Sequence, residues 1–266
     1  MSSGFRYLVY DIETCTDKAL LNKVLYPGEG LSDHEAFNKH LGELMLEGRT
    51  FVNPAFHAPI SIAAIGLNSD FEILKIGLMG KDAKNPAALV QHFWEIYNQS
   101  QPVLIDFNGK GFDVRVLELW AFRLGIAIHS KHFGKFGARY KFNEEDHLDL
   151  HEFLTNYGAI RFKGGLNLFS KILGKPGKME TKGDIVQELF EAGERFRIDD
   201  YCLCDAMDTY FVFLRTLVIR GVIDLQRERS LVEDAKVAME HKRDQEGYFK
   251  GYLEAFRYWD PAEHEL

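Results

Sequence analysis

The amino-acid sequence predicts an α/β fold, with a mixed sheet of five strands flanked by helices on both faces. Strand-like segments come first, at 5–10, 60–67 and 71–76, and turn-forming residues at 68–70 join the last two into a hairpin. From residue 86 onward, short apolar segments alternate with segments of helical periodicity. A meander followed by this alternation is typical of a mixed sheet that helices cover.

The individual elements follow from local composition. Residues 5–10 are aromatic and β-branched, so we expect the first strand to end just before Asp11. Residues 15–57 form a long insertion with helix-like stretches near 17–25 and 32–46. The other predicted elements are helices at 86–98, 112–125, 166–173, 183–192 and 198–219 and strands at 103–105 and 148–150.

Composition and charge exclude several classes of protein. With 266 residues and 46% hydrophobic side chains, the chain is long and apolar enough to bury a large core. No apolar run approaches the roughly 18 residues of a membrane span, and no signal-peptide pattern opens the sequence. The three cysteines fit a reducing cytoplasm, where we therefore expect the protein, and a net charge of −8 argues against a coat protein for nucleic acid.

We expect two parts in the chain. The first is a domain over 1–220 that carries the insertion at 15–57, and the second is a helical appendage over 221–266. The last 45 residues hold 11 acidic and 7 basic side chains, a composition typical of a solvated helical segment.

The first candidate for chemistry is the pair Asp11 and Glu13. Residues two apart on a strand point to one face of the sheet, and two carboxylates on one face repel each other unless a cation lies between them. The alternative is a strand that simply runs into a solvated loop, because Asp-x-Glu also occurs at Asp33, Asp70 and Asp244.

Two further motifs each place a carboxylate on a predicted helix. Asp113 opens the helix that follows Asn108 and Phe112, where the alternative role is that of a helix cap. Tyr201 and Asp205 lie one turn apart in an apolar helix, where the alternative is a buried tyrosine–aspartate hydrogen bond.

The three motifs in this order resemble those of the DEDDy-type 3′–5′ exonucleases. The likeness is greatest to the proofreading domain of B-family DNA polymerases in its stand-alone, PolB-like form, and it covers roughly residues 5–220, including the stretch that begins at Asp149. It implies a ribonuclease H-like fold and an enzyme that removes 5′-nucleoside monophosphates from the 3′ end of single-stranded DNA, in repair or in cleanup linked to replication. No polymerase palm or fingers could fit in 266 residues.

Four carboxylates, with Tyr201 beside them, form the predicted catalytic centre. Oxygen-only ligands select Mg²⁺ or Mn²⁺, and two such ions can stabilise both the attacking and the leaving oxygen of a phosphoryl displacement. The resemblance implies that Asp11, Glu13 and Asp205 hold the ion that activates water. It also implies that Asp11 bridges to a second ion, which Asp113 supports, and that Tyr201 orients the water.

A zinc site is the weaker alternative for the metal. Cys202 and Cys204 are two apart on a helix and point to different sides, and His147 and His151 have no companion cluster. We therefore expect the cysteines to be packing residues and the segment around His147 to have mainly a structural role.

Two basic segments are candidates for binding a nucleic-acid strand. Residues 129–141 carry four basic side chains, no acidic ones and several aromatic rings, and residues 161–182 carry six basic side chains and one acidic. Phe51, Phe56 and His57 in the insertion are further candidates to line the strand path. The predicted nucleic-acid-binding residues are Asn108, Phe112, Lys131, Lys135, Arg139 and Lys163. The alternative for both segments is a solvated lysine-rich loop.

Two other functions stay open at this point. The same fold class also serves RNA, so a 3′–5′ RNA exonuclease is an alternative, although we expect single-stranded DNA as the partner. A catalytically inactive nucleic-acid-binding module would keep the fold and lose carboxylates, whereas all four acids and Tyr201 are present.

Overall fold

The computed structural model describes residues 4–80, 85–178 and 185–261. The described elements in chain order are β1 (Tyr7–Thr16), α1 (Lys18–Leu25), α2 (Asp33–Leu46), β2 (His57–Leu67), β3 (Ile73–Leu78), α3 (Pro86–Ser100), β4 (Val103–Asp106), α4 (Asp113–Leu124), β5 (His147–Asp149), α5 (Leu150–Leu154), α6 (Gly165–Ile172), α7 (Val186–Glu191), α8 (Arg195–Ile219), α9 (Leu225–Glu246) and α10 (Lys250–Ala255). Part of the helix predicted at 183–192 and part of the basic segment 161–182, including Lys182, lie outside the described residues.

The five strands form one mixed sheet in the order β3-β2-β1-β4-β5. Strand β1 pairs antiparallel with β2 and parallel with β4, and β5 continues the parallel half. This confirms the predicted mixed sheet. The reason is the chain path: β1, β2 and β3 follow one another as a meander, whereas helices precede β4 and separate it from β5.

Alternating side chains of β1 enter two different cores. Leu8, Tyr10 and Ile12 pack with α3 and α4 on one face of the sheet. Val9 packs on the other face, in a core to which α8 contributes the largest share. Because successive side chains on a strand point to opposite faces, Asp11 belongs to the α8 face.

The first strand extends further than the sequence predicts. Asp11 and Glu13 lie inside β1, opposite Ala63 and Ser61 of β2, and the strand continues to Thr16. The prediction that the strand ends before Asp11 was wrong, because the partner strand β2 is long enough to satisfy the backbone of these polar residues. The register shifts directly after Glu13, and such bulges are frequent beside active sites.

The insertion folds as a helical hairpin with its own small core. Helices α1 and α2 agree within a residue with the predicted stretches, and Ser32 and Glu35 form a reciprocal capping box at the start of α2. The core of the hairpin is formed by Leu21, Tyr26, Ala36, Leu44 and Val52, with Phe56 packed against it.

The last two helices share the core of α8. Phe249 and Tyr252 are fully buried there, the amide of Phe249 donates to Asp200 at 2.7 Å, and Nε of Arg215 donates to both carboxylate oxygens of Glu228. The division of the chain at residue 220 stays a prediction. Within the described ranges, no helix is long and apolar enough to cross a membrane.

The buried carboxylate of Asp208 on α8 is expected to make the stability of the protein depend on pH. It is buried, accepts a hydrogen bond from the hydroxyl of Tyr252, and burial raises its pKa to about 7. Because this pKa is higher than in the unfolded chain, the contribution of Asp208 to stability is full below about pH 4 and is lost as pH rises to about 7. We expect Asp208→Asn, which keeps an acceptor for Tyr252, to gain about 1–4 kcal/mol over the wild type at pH 8.

Thermal melts of both proteins between pH 5 and pH 8 test this, with Asp244→Asn, at an exposed position, as the control. A stability difference that does not change with pH would contradict the assignment.

Candidate active site

Three carboxylates converge between the sheet and its longest helix. Asp11 and Glu13 project from β1, and Asp205 projects from α8, which packs across that face of the sheet. One ligand oxygen of each lies within 4.8 Å of those of the other two. The thiol of Cys202 donates to the carbonyl oxygen of Asp11 at 3.3 Å and so ties α8 to β1 at this point. The cysteine is thus a packing residue beside the cluster.

The cluster is electrostatically unfavourable without a cation. Burial, followed by the charge of Glu13, raises the pKa of Asp11 well above its usual range, and burial followed by Asp205 does the same for Glu13. Burial raises the pKa of Asp205 to about 6. The Oδ2 atom of Asp11 is buried and has no hydrogen-bond partner in the described chain. An orphaned oxygen in an all-oxygen donor set fits a hard divalent cation such as Mg²⁺ or Mn²⁺.

Asp113 borders this cluster from the other side of β1. It is the first residue of α4, and its Oδ1 accepts from the backbone N–H of Ile12 at 3.3 Å. Ile12 lies between the two β1 carboxylates, so the hydrogen bond places Asp113 next to them. Burial and the charge of Asp106 raise the pKa of Asp113 well above its usual range. A helix cap alone does not account for this residue, because its carboxylate bonds across to the sheet.

Tyr201 and Lys178 complete the surroundings of Asp205. Burial, followed by the charge of Asp205 one helical turn away, raises the pKa of the Tyr201 phenol, so it keeps its proton. The Lys178 ammonium lies 5.9 Å from the centre of the Tyr201 ring, and its charge lowers the pKa of both Asp205 and Glu13. Among the described residues of the basic segment, Lys178 is the cation whose charge acts on these carboxylates.

The sequence placed Lys178 only in a basic segment and gave no reason to bring it to this site. Its position depends on a loop: the Lys178 amide donates to Asn167 Oδ1 at 2.9 Å. The preceding Gly177 has φ +60°, and a Cβ there would meet the same oxygen at 2.4 Å. The pair Gly177-Lys178 is the local sequence feature that could have indicated a turn bringing Lys178 to the site.

A second polar network lies behind the loop that leads to Asp113. Asp106 Oδ2 accepts from the Tyr10 hydroxyl at 2.7 Å and is 2.6 Å from Nε2 of His147. All three side chains are buried. The contact of His147 is with a carboxylate of the sheet, and its mainly structural role stays a prediction.

Asp149 holds the loop itself. Its carboxylate accepts from the amides of Asn108 at 2.9 Å and Lys110 at 3.1 Å, and from those of His151 and Glu152 at the start of α5. The carboxylate is buried, and burial raises its pKa to about 6. The sequence placed Asp149 at the end of a strand near the site but did not reveal this role, which depends on the parallel pairing of β4 with β5.

The predicted nucleic-acid-binding residues fall into two groups. Asn108, with φ 72°, and Phe112 lie on the loop that ends at Asp113. Lys131 and Arg139 are exposed and form ion pairs with acidic side chains, while Lys135 lies over the ring of Phe136. Lys163 is exposed just before α6. The structure thus places the first two on the loop that leads to Asp113, and nucleic-acid binding by all six residues stays a prediction.

Comparison with known proteins agrees with this geometry. Residues 49–256 match a family described as predicted 3′–5′ exonucleases related to the exonuclease domain of PolB. The match spans most of the chain, which therefore belongs to this family of predicted exonucleases. The mixed sheet with flanking helices is consistent with the ribonuclease H-like fold that the resemblance implied. No curated protein sequence matches the chain.

The match begins after the insertion helices, so Asp11 and Glu13 precede it. The structure nevertheless brings both to Asp205, which lies within the matched residues.

Proposed function

We propose that this protein is a divalent-metal-dependent 3′–5′ exonuclease that removes 5′-nucleoside monophosphates from single-stranded DNA by two-metal-ion hydrolysis. The observation that carries the proposal is the convergence of Asp11, Glu13 and Asp205 within 4.8 Å, with one buried oxygen of Asp11 left without a partner. The family match supports the reaction class. We further infer a role in DNA repair in the cytoplasm, to which the three free cysteines are suited.

Each residue of the site has a role in this reaction. Asp11, Glu13 and Asp205 would hold one Mg²⁺ or Mn²⁺, and Asp11 with Asp113 would hold the second. Bound divalent ions lower the pKa of water and stabilise charge on the phosphoryl oxygens. The protonated Tyr201 hydroxyl, one helical turn from Asp205, would position the attacking water. Lys178 adds a positive charge that attracts the phosphate of the substrate towards the acidic centre.

Digestion of end-labelled oligonucleotides tests the proposal. With Mg²⁺ or Mn²⁺, we expect a 5′-labelled single strand to give a ladder of shortened products, and a 3′-labelled strand to release labelled mononucleotide at once. DNA and RNA strands are compared in parallel, and preference for RNA would replace the proposed substrate. A purified protein that binds either strand without shortening it would instead be an inactive binding module.

Replacing Tyr201 with phenylalanine separates chemistry from binding. The change removes only the hydroxyl that positions the water, so we expect kcat to fall by about 10²-fold while KM changes little. Single-turnover digestion at saturating Mn²⁺ measures this, and Tyr140→Phe, at an exposed ring, is the control. An unchanged kcat would show that the hydroxyl only stabilises α8.

A further inference from the structure

We propose that Phe51, carried by the segment after α2, forms the stacking surface for an unpaired nucleobase at the 3′ end of the substrate. This inference rests on the proposed function, because it assigns one residue of the insertion to substrate recognition at the same site.

Phe51 belongs to a cluster of three rings. Its ring is stacked on that of His57, with centroids 5.3 Å apart and an interplanar angle of 20°. Phe112 meets Phe51 edge-on at 5.4 Å and His57 edge-on at 5.2 Å. Phe51 is nevertheless 55% exposed, so a large part of its ring remains open to a ligand.

The cluster is held in place through His57. Its Nδ1 is 2.7 Å from the Thr14 hydroxyl, and its Nε2 is 3.2 Å from the carbonyl oxygen of Val52. These partners assign the proton to Nε2, which donates to Val52, while Nδ1 accepts from Thr14. The backbone oxygen of His57 also accepts from the Trp120 indole at 2.8 Å. The imidazole that supports Phe51 is therefore held from β1 and from the insertion, and the backbone of His57 is held from α4.

The cluster is directly adjacent to the carboxylates along the chain. Thr14, which binds His57, follows Glu13, and Phe112 precedes Asp113. A strand with its terminal phosphate at the carboxylates would bring the attached base into reach of these rings. The base is the uncharged, flat part of a nucleotide, so it can approach this acidic centre without the repulsion that a phosphate meets.

Phe56, which precedes His57 in the sequence, does not share this role. Phe56 packs against the small core of the insertion. Phe51, by contrast, is a large apolar side chain that is held rigid by its neighbours and still faces solvent. Stacking on such a ring is tolerant of sequence, because every base has a π-face. The surface therefore suits an enzyme that must accept any of the four terminal bases.

Kinetics of Phe51→Ala test the inference. We expect KM and the Kd for single-stranded DNA to rise by about 5-fold to 150-fold, the range for loss of one stacked base, while kcat is retained. Phe51→Trp should restore the wild-type KM. Phe122→Ala, at an 89% exposed phenylalanine near the far end of α4, is the matched control and should change neither constant.

An abasic substrate distinguishes stacking from a structural role. We expect removal of the base from one of the two nucleotides nearest the 3′ end to raise the KM of the wild type but not that of Phe51→Ala. Equal KM values for the two proteins on intact DNA, or equal sensitivity to the abasic site, would overturn the inference while the wild type remains an active exonuclease. A wild type that shortens no oligonucleotide would instead overturn the proposed function.

Discussion

Replacing Asp205 with alanine is expected to abolish shortening of single-stranded DNA and, in the same protein, to raise its stability in the absence of metal. Asp205 is one of the three converging carboxylates, so its loss should lower kcat by at least about 10³-fold. The end-labelled digestion measures this effect, and Asp11→Ala should behave in the same way.

The gain in stability has an electrostatic cause. The charge of Asp205 raises the pKa of both Asp11 and Glu13, and burial raises the pKa of Asp205 itself to about 6. Since these pKa values exceed those of the unfolded chain, the ionised cluster destabilises the folded state increasingly as pH rises through them. At pH 8 in EDTA, we expect Asp205→Ala to be more stable than the wild type by about 1–3 kcal/mol.

At saturating Mn²⁺, we expect the wild type to be more stable than Asp205→Ala, the reverse of the order in EDTA. A ligand at 100 times its Kd stabilises the folded state by about 2.7 kcal/mol, and the variant lacks one of the carboxylates that would hold the ion. Asp70→Ala is the matched control, because Asp70 begins another Asp-x-Glu motif but lies on an exposed turn. If melting temperatures of the wild type are the same in EDTA and in Mn²⁺, the cluster does not bind metal.

The sequence predicted the order of the strands and helices well because local patterns determine them. The two helix-like stretches predicted in the insertion agree with α1 and α2 within a residue. The end of β1 was misplaced, because a strand that contains Asp11 is stable only through its pairing with β2. Pairing of this kind is a tertiary property that the local sequence does not carry.

The candidate site shows the same division between local and tertiary information. Asp11, Glu13, Asp113, Tyr201 and Asp205 could be chosen from motif spacing and the family resemblance, and the structure places them together. The sequence named Phe51 as a candidate for the strand path and placed Asp149 at the end of a strand, but the contacts of both depend on distant segments. The position of Lys178 depends on a loop, for which the adjacent Gly177 is the local sign.

Asp149→Ala is expected to damage both stability and catalysis, because one buried carboxylate holds two separate pieces of backbone. Its removal leaves four backbone amides without their acceptor. Two belong to Asn108 and Lys110 in the loop, and two belong to His151 and Glu152 at the start of α5. Hydrogen bonds to a charged group contribute about 1.5–3 kcal/mol each, and the relief of burying the charge offsets part of that loss. We expect a net loss of about 2–4 kcal/mol near pH 6.

The pH dependence of this loss of stability separates two contributions of Asp149: the hydrogen bonds that it accepts and the cost of burying its charge. The pKa of Asp149 is raised to about 6, above that of the unfolded chain, so the wild type loses stability from this group as pH rises from about 4 to 6. The variant has no such dependence at this position. The difference in free energy of unfolding between the wild type and Asp149→Ala should therefore be about 1 kcal/mol larger at pH 5 than at pH 8. Glu145→Gln, at an exposed position nearby in the sequence, is the control and should have the same free energy of unfolding as the wild type at either pH.

The effect on catalysis follows from the loop. Residues 108–112 lead directly to Asp113, so amides that have lost their acceptor allow this carboxylate to move away from β1. A shift of about 1 Å at a reacting group can cost 10²-fold in rate, so we expect kcat to fall by at least about 10-fold well below the melting temperature. Hydrogen exchange at the Asn108 and Lys110 amides should rise in parallel. Faster exchange with an unchanged kcat would show that the hydrogen bond to Ile12 alone holds Asp113 in place.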